Sequence, residues 1–155
     1  MKLHIAAVGR LRAGPEAELV HDYIDRFGKA GRSLGLGPIS IHEVEAKKGG
    51  MAAEAKLLER AIGSNSPICT LDERGQVLSS PDFARMLGRW RDDGASAPVF
   101  VIGGADGLDQ SLRSRADMSL SFGKMVWPHM MVRVMLAEQL YRAASILAGS
   151  PYHRN

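Results

Sequence analysis

Apolar and polar positions along this chain fall into two rhythms: short apolar or alternating runs, and longer stretches with apolar residues three to four apart. Lys2 to Val8 is a short apolar run with a β-branched end, closed by Gly9, and predicts a first strand. From Pro15 to about Ala30, Leu19, Tyr23 and Phe27 fall at i, i+4 and i+8, with Val20 and Ile24 beside them. They form one apolar stripe on a predicted helix. Gly31, Gly35, Gly37 and Pro38 break that rhythm, and Ile39 to Val44 alternates as a strand does. Lys47-Lys48-Gly49-Gly50 predicts a turn, and Met51 to Ile62 an Ala/Leu/Glu-rich helix.

The same alternation continues to the end of the chain. Pro67 to Leu71 predicts a strand closed by a turn at Asp72-Glu73-Arg74-Gly75. Ser80-Pro81-Asp82 predicts a helix start, with Ser80 as N-cap and an acid near the positive end of the dipole. Phe83, Met86, Leu87 and Trp90 carry the buried face of that helix, which stops at Asp92-Asp93-Gly94. Pro98 to Ile102 is a continuous apolar run of the kind buried on both faces. A glycine turn at 103–107, a short polar helix through Arg115, a strand from Met118 to Phe122 and a loop from Lys124 to Pro128 follow. Val132 to Leu147 predicts the last helix. Strands and helices alternate throughout, so the expected class is α/β with a mainly parallel sheet, one domain over residues 1–155.

Composition narrows the class further. At 45% apolar and 24% charged residues the chain is too apolar for disorder. Its longest stretch without Asp, Glu, Lys or Arg, Gly94 to Ala105, is 12 residues, well short of a membrane span. Gly9, Arg10 and Arg12 interrupt the opening run before a signal-peptide core forms. The single Cys69 excludes an internal disulfide and a cysteine-cluster metal site and points to a reducing, cytoplasmic setting. Net charge is +3, and its placement is uneven. Residues 112–155 carry Arg113, Arg115, Lys124, Arg133, Arg142 and Arg154 against Asp117 and Glu138, so the whole excess lies in the last third.

Candidate chemistry concentrates in that third and just before it. A strand that ends in Gly-Gly-x-x-Gly before a helix lets backbone amides approach a ligand at the carboxyl edge of a sheet; a tight strand-to-helix turn has the same sequence. On the last helix Glu138, Arg142 and Ser145 share a polar face, with Glu138 and Arg142 read as a solvated i, i+4 pair. Arg133 lies opposite, among Val132, Leu136, Ala137, Leu140 and Ala144, and must find a carboxylate, a phosphate, a partner subunit or the solvent beyond the helix end. His129 follows Pro128 directly before that helix, as a cap or an anion-facing ring. The tail Pro151-Tyr152-His153-Arg154-Asn155 combines a stacking ring, a titratable ring and a guanidinium, which suits RNA, although short tails are commonly disordered. The five histidines lack metal-ligand spacing, so no metal is expected, and no Gly-x-Ser-x-Gly elbow is present.

In order, Val101-Ile102-Gly103-Gly104-Ala105-Asp106-Gly107, Pro128-His129, Val132-Arg133-Val134, Ala137-Glu138-Gln139-Leu140-Tyr141-Arg142-Ala143 and Pro151-Tyr152-His153-Arg154 resemble the RlmH-type ribosomal RNA large subunit methyltransferases, across essentially the whole chain. The resemblance implies the SPOUT superfamily: helices on both faces of the sheet, a C-terminal trefoil knot, a homodimer, and S-adenosyl-L-methionine as cofactor. It further implies methylation at N3 of a pseudouridine in 23S rRNA on the assembled ribosome. Carried over by position, it places the cofactor against Leu71, Gly103 and the loop Phe122, Gly123, Lys124, Met125, Val126 and Trp127. Trp127, Met130 and Gly123-Lys124 depart from the usual residues of the family, which bears on side-chain contacts more than backbone ones.

A sulfonium cofactor brings its own reactive methyl, so neither a metal nor a covalent nucleophile is required. His153 and His129 are the expected proton acceptors, and Arg133, Tyr152 and Arg154 the expected RNA contacts. Two other readings remain open from the sequence: a non-catalytic ribosome- or RNA-binding module, and a knotted methyltransferase acting on transfer RNA.

Overall fold

β1 (Leu3–Val8), β2 (Ile39–Val44), β3 (Ile68–Val77), β4 (Val99–Ile102) and β5 (Met118–Ser121) form one sheet in the order β2-β1-β4-β3-β5. All four neighbouring pairs are parallel. The structure is a computed structural model that describes residues 1–63 and 65–154. β4 lies at the centre, and its four residues Val99, Phe100, Val101 and Ile102 are all buried, as an apolar run covered on both faces requires.

Successive side chains of a strand point to opposite faces, so each strand contributes to two cores. On one face Leu3, Ile5, Ala7, Phe100 and Ile102 meet residues of α1 (Pro15–Gly31), α3 (Ser80–Asp92) and α5 (His129–Leu147). On the other, Ala6, Val8, Val99 and Val101 meet residues of α2 (Gly50–Ile62) and Leu112 of α4 (Gln110–Arg115). Helices therefore cover both faces of the five-stranded parallel sheet.

Several boundaries differ from the sequence expectation, each for a local reason. The N-cap of α3 is Ser79, whose Oγ accepts from the Asp82 amide at 3.2 Å; Ser80 stands inside the helix and donates to Gln139. β3 continues through Asp72-Glu73-Arg74-Gly75 instead of stopping there. Both Leu71 and Gln76 pair with Leu120, so the residues between them bulge out of the ladder. The Arg74 amide donates to Asp72 Oδ1 at 2.9 Å, a turn built inside a strand. A side chain at Gly75 would lie 2.7 Å from the Ser119 carbonyl, so the bulge closes only with glycine there.

The last helix begins at His129, three residues before the expected Val132, with Pro128 as its N-cap. It ends in a Schellman turn: Gly149, at φ 67°, donates to Ile146 O, and Ser150 donates to Ser145 O. That reversal sends the tail back along the helix. On α1, Leu19 of the expected stripe is 44% exposed, while Ala17, Val20, Phe27 and Gly31 are buried.

Candidate active site

The carboxyl ends of β3, β4 and β5 open into one cavity. Leu71, Ile102 and Leu120 form its floor, residues 72–74 of the bulge and 103–107 of the glycine turn its sides, and Phe122, Gly123, Met125, Val126 and Trp127 its outer wall. His129 and Val132, from the first turn of α5, close it. This is the edge of a parallel sheet where ligands enter.

The glycine turn is tightly constrained. A methyl group on Gly103 would lie 2.6 Å from the Gly107 carbonyl, and one on Gly104 would press on Val8 and the Glu54 carboxylate at 3.0 and 3.2 Å. Gly107 itself has φ 81° and donates to Gly104 O at 3.0 Å. The facing loop is held from below by Ser121, whose Oγ donates to the Glu73 carbonyl or the Gly123 carbonyl, at 3.1 and 2.8 Å, and accepts from the Gly123 amide. Its outer residues stay open, with Val126 79% and Met125 73% exposed.

Beside the cavity, Asp72 takes Arg74 Nε and Nη2 on its two oxygens, both at 2.8 Å, with Arg113 Nε at 4.0 Å. The hydrogen bonds from Arg74 hold the Asp72 carboxyl below the usual carboxylate range. Asp72, Glu73 and Arg74 were not expected among the site residues, whereas His129, expected as a proton acceptor, lies on the cavity wall. The sequence signal that could have found the first three is Gly75, which is needed to fold the bulge inward.

Seven of the eight residues expected at a cofactor line this cavity; Lys124 belongs to the same loop but not to the wall. Arg133 is placed elsewhere. Its side chain is fully buried; Nη1 donates to Glu43 Oε2 at 2.9 Å, and Nη2 to the Val8 and Gly9 carbonyls at 3.3 and 3.0 Å. The expectation of an RNA contact at Arg133 is therefore corrected. The apolar stripe found a carboxylate inside its own protomer, and the guanidinium ties α5 to the end of β1. Gly9 lies against this anchor, where a Cβ would be 3.4 Å from His129 Nε2.

The tail is folded back on the C-terminal half of α5. Tyr152 packs on Tyr141 with ring centroids 4.5 Å apart, and Arg142 lies 4.8 Å from the Tyr152 ring centre. The Tyr152 hydroxyl donates to Glu138 Oε1 at 3.1 Å, and burial with the adjacent carboxylate pushes its pKa up to about 12. The Glu138–Arg142 pair is thus partly enclosed by the tail, not merely solvated. Tyr152 and His153 are half-buried against this cluster, and Arg154 is exposed.

Comparison with known proteins decides the family. The family model described as "Predicted SPOUT methyltransferase" matches residues 1–153. The chain belongs to the SPOUT methyltransferase family. Among curated relatives, the ribosomal RNA large subunit methyltransferase H proteins of a Ruegeria species and of Roseobacter denitrificans are 66% and 65% identical to it, over 99% and 100% of both chains. A solved structure titled as a probable methylase family protein from Haemophilus influenzae shares the fold at TM-score 0.54. It is 12% identical and aligns with 99% of this SPOUT chain and 70% of its own. Among the described residues no group of three or more His, Cys, Asp or Glu could hold a metal ion, and no helix is long and apolar enough to cross a membrane.

Proposed function

We propose that this SPOUT protein is an S-adenosyl-L-methionine-dependent methyltransferase acting on N3 of a pseudouridine in 23S rRNA of the ribosome, in the cytoplasm. The observation that carries the reading is the single cavity joining Gly103, the 122–127 loop and His129 at the carboxyl edge of the sheet. Full-length relatives at 60–66% identity named ribosomal RNA large subunit methyltransferase H support the substrate class.

The residues present suit the cofactor. Apolar walls from Leu71, Ile102, Leu120 and Trp127 accept a flat purine, and the glycine turn brings backbone to it without side chains. Glu73 and Asp106 on the cavity wall favour a cationic ligand. Leu71, Gly103 and the 122–127 loop would hold it, and bound there it supplies an electrophilic sulfonium methyl for transfer to N3. The chain itself positions the base and accommodates the proton that N3 loses. His129, on the cavity wall, and His153, on the tail, are the groups able to accept it or pass it to water. Tyr152 and Arg154 supply stacking and phosphate contacts.

The reading includes the C-terminal trefoil knot and a homodimer. Supporting the first, α5 returns from the edge strand β5 to pack across α1 and α3. Supporting the second, Leu19, Tyr23, Phe122, Val134 and Met135 line an apolar hollow on the α1–α5 surface. Glu138 stands nine positions after His129, about 13.5 Å along the helix and on its opposite face. In the dimer the tail held at Glu138 therefore serves the partner's cavity.

Calorimetry with S-adenosyl-L-methionine tests the first part: no binding by folded dimer overturns it. Mapping rRNA modifications in cells lacking the protein tests the second. One missing methylpseudouridine is the expected result, and an unchanged map refutes the substrate.

A further inference from the structure

Glu138 is the point on which the tail and the last helix converge. Its Oε1 accepts from Arg142 Nε at 2.9 Å, Arg142 Nη2 at 2.6 Å and the Tyr152 hydroxyl at 3.1 Å. Its Oε2 accepts from Gln139 Nε2 at 2.8 Å, and Gln139 Oε1 in turn accepts from Ser80 Oγ on α3 at 2.8 Å. One carboxylate thus fills its acceptor positions with four donors from two side chains of α5 and one of the tail. An ordinary exposed i, i+4 pair has no such partners, and its two side chains are here only 18% and 25% exposed.

The consequence reaches His153. With Nε and Nη2 held by Glu138, the Arg142 guanidinium lies 4.8 Å from the Tyr152 ring centre, and its Nη1 stands 3.5 Å from His153 Nδ1. Tyr152 is fixed on its other contact by Tyr141. We infer that Glu138 is a positioning residue for methyl transfer: by gathering Arg142 and Tyr152 it holds His153 in one place. The inference rests on the reading above that the tail takes part in the reaction. Glu138 touches neither cofactor nor base and acts through the tail. A tail left free would have to be ordered afresh at each turnover, an entropic cost that a preformed clamp removes.

The test compares full-length dimers of Glu138→Gln, Tyr152→Phe and a variant lacking residues 152–155 with the parent protein. Ribosomes from cells without this protein and labelled S-adenosyl-L-methionine are the substrates. Glu138→Gln keeps the side-chain shape, removes the charge and offers an amide where donors converge. It should lower kcat by roughly 100-fold, the loss a 1 Å misplacement produces, with cofactor Kd and dimer mass unchanged. Absorbance titration of Tyr152, taken by difference against the corresponding Tyr152→Phe protein, should move from about 12 toward the ordinary phenol value near 10. Amides of residues 150–154 should exchange faster. Tyr152→Phe, which deletes one of the four donors, should give a smaller fall. If the truncated protein methylates normally, the reading of the tail fails. If truncation abolishes transfer while Glu138→Gln and Tyr152→Phe turn over at the parent rate, the clamp is overturned. A matching loss of cofactor affinity also overturns it, because the damage then lies in the fold.

Discussion

Replacing Arg133 by methionine separates an internal anchor from an RNA contact. Methionine is apolar and nearly as long, so it fills the space without a donor. The substitution deletes the Glu43 ion pair and the bond to Gly9 O, with a weaker one to Val8 O at 3.3 Å. Hydrogen bonds to a charged group contribute about 1.5–3 kcal/mol each, so two good ones give about 3–6 kcal/mol. Against this, the guanidinium no longer has to be desolvated, and its Nε, which has no partner among the described residues, disappears. Glu43 is 31% exposed and can turn to water. The net loss is therefore about 2–3 kcal/mol. An unfolding entropy of about 2.1 cal/mol/K per residue, over 155 residues, gives roughly 0.33 kcal/mol/K and a Tm lower by about 6–9 °C. Calorimetric melting at equal protomer concentration measures it, since self-association would make Tm depend on concentration. Salt titration of RNA binding is the second arm: a lost phosphate contact would flatten the slope by about 0.7–0.9. An unchanged Tm with a flatter slope refutes the anchor and restores Arg133 as an RNA contact.

Other outcomes follow from the same geometry. Gly103→Ala puts a methyl 2.6 Å from the Gly107 carbonyl and should weaken S-adenosyl-L-methionine binding at least about tenfold, at a strain cost of about 1–3 kcal/mol; calorimetry giving parent affinity contradicts the tight-turn argument. Ser79→Ala removes the α3 cap and should lower stability by about 1 kcal/mol in urea melts, whereas Ser80→Ala should spare that cap, and equal cap losses would reverse the assignment. Asp72 is held low by Arg74, so its folded pKa lies below its unfolded one. Its contribution is full above the unfolded value near pH 4 and disappears as pH falls through the folded value. An Asp72→Asn protein should accordingly lose part of the acid limb of Tm against pH, and an identical limb refutes it. Burial pushes the Cys69 thiol up to about 12, so Ellman's reagent at pH 8 should react only after denaturation; prompt reaction in the folded protein would contradict its burial.

Much of the fold was legible because its signals are local. The β4 run Val99–Ile102 reads as a buried strand from four residues, and Pro15–Gly31 as a helix from its spacing. The bulge in β3 was hidden because Asp72-Glu73-Arg74-Gly75 has ordinary turn chemistry. Whether a turn ends a strand or is folded into it depends on β5, some 45 residues later. Leu19 was misplaced for a similar reason. Periodicity finds a stripe but cannot tell core from an apolar surface hollow.

By itself the sequence determined the α/β class, the parallel alternation and, through ordered motifs from Gly103 to Arg154, the family; these depend on spacing and residue type along one chain. The partners of the charged side chains were decided only by tertiary structure. Arg133 on the apolar stripe had to neutralise its charge, but Glu43, 90 residues away, became its partner only when β2 was laid beside β1. Glu138 and Arg142 could be paired from their i, i+4 spacing, yet enclosing that pair took a glycine turn at 149 that brought Tyr152 back over it. The basic excess of the last third is in this way divided by the fold: one arginine locked inside, one clamped under the tail, and Arg154 left in the open. Burial and long-range pairing, which no local pattern encodes, set that division.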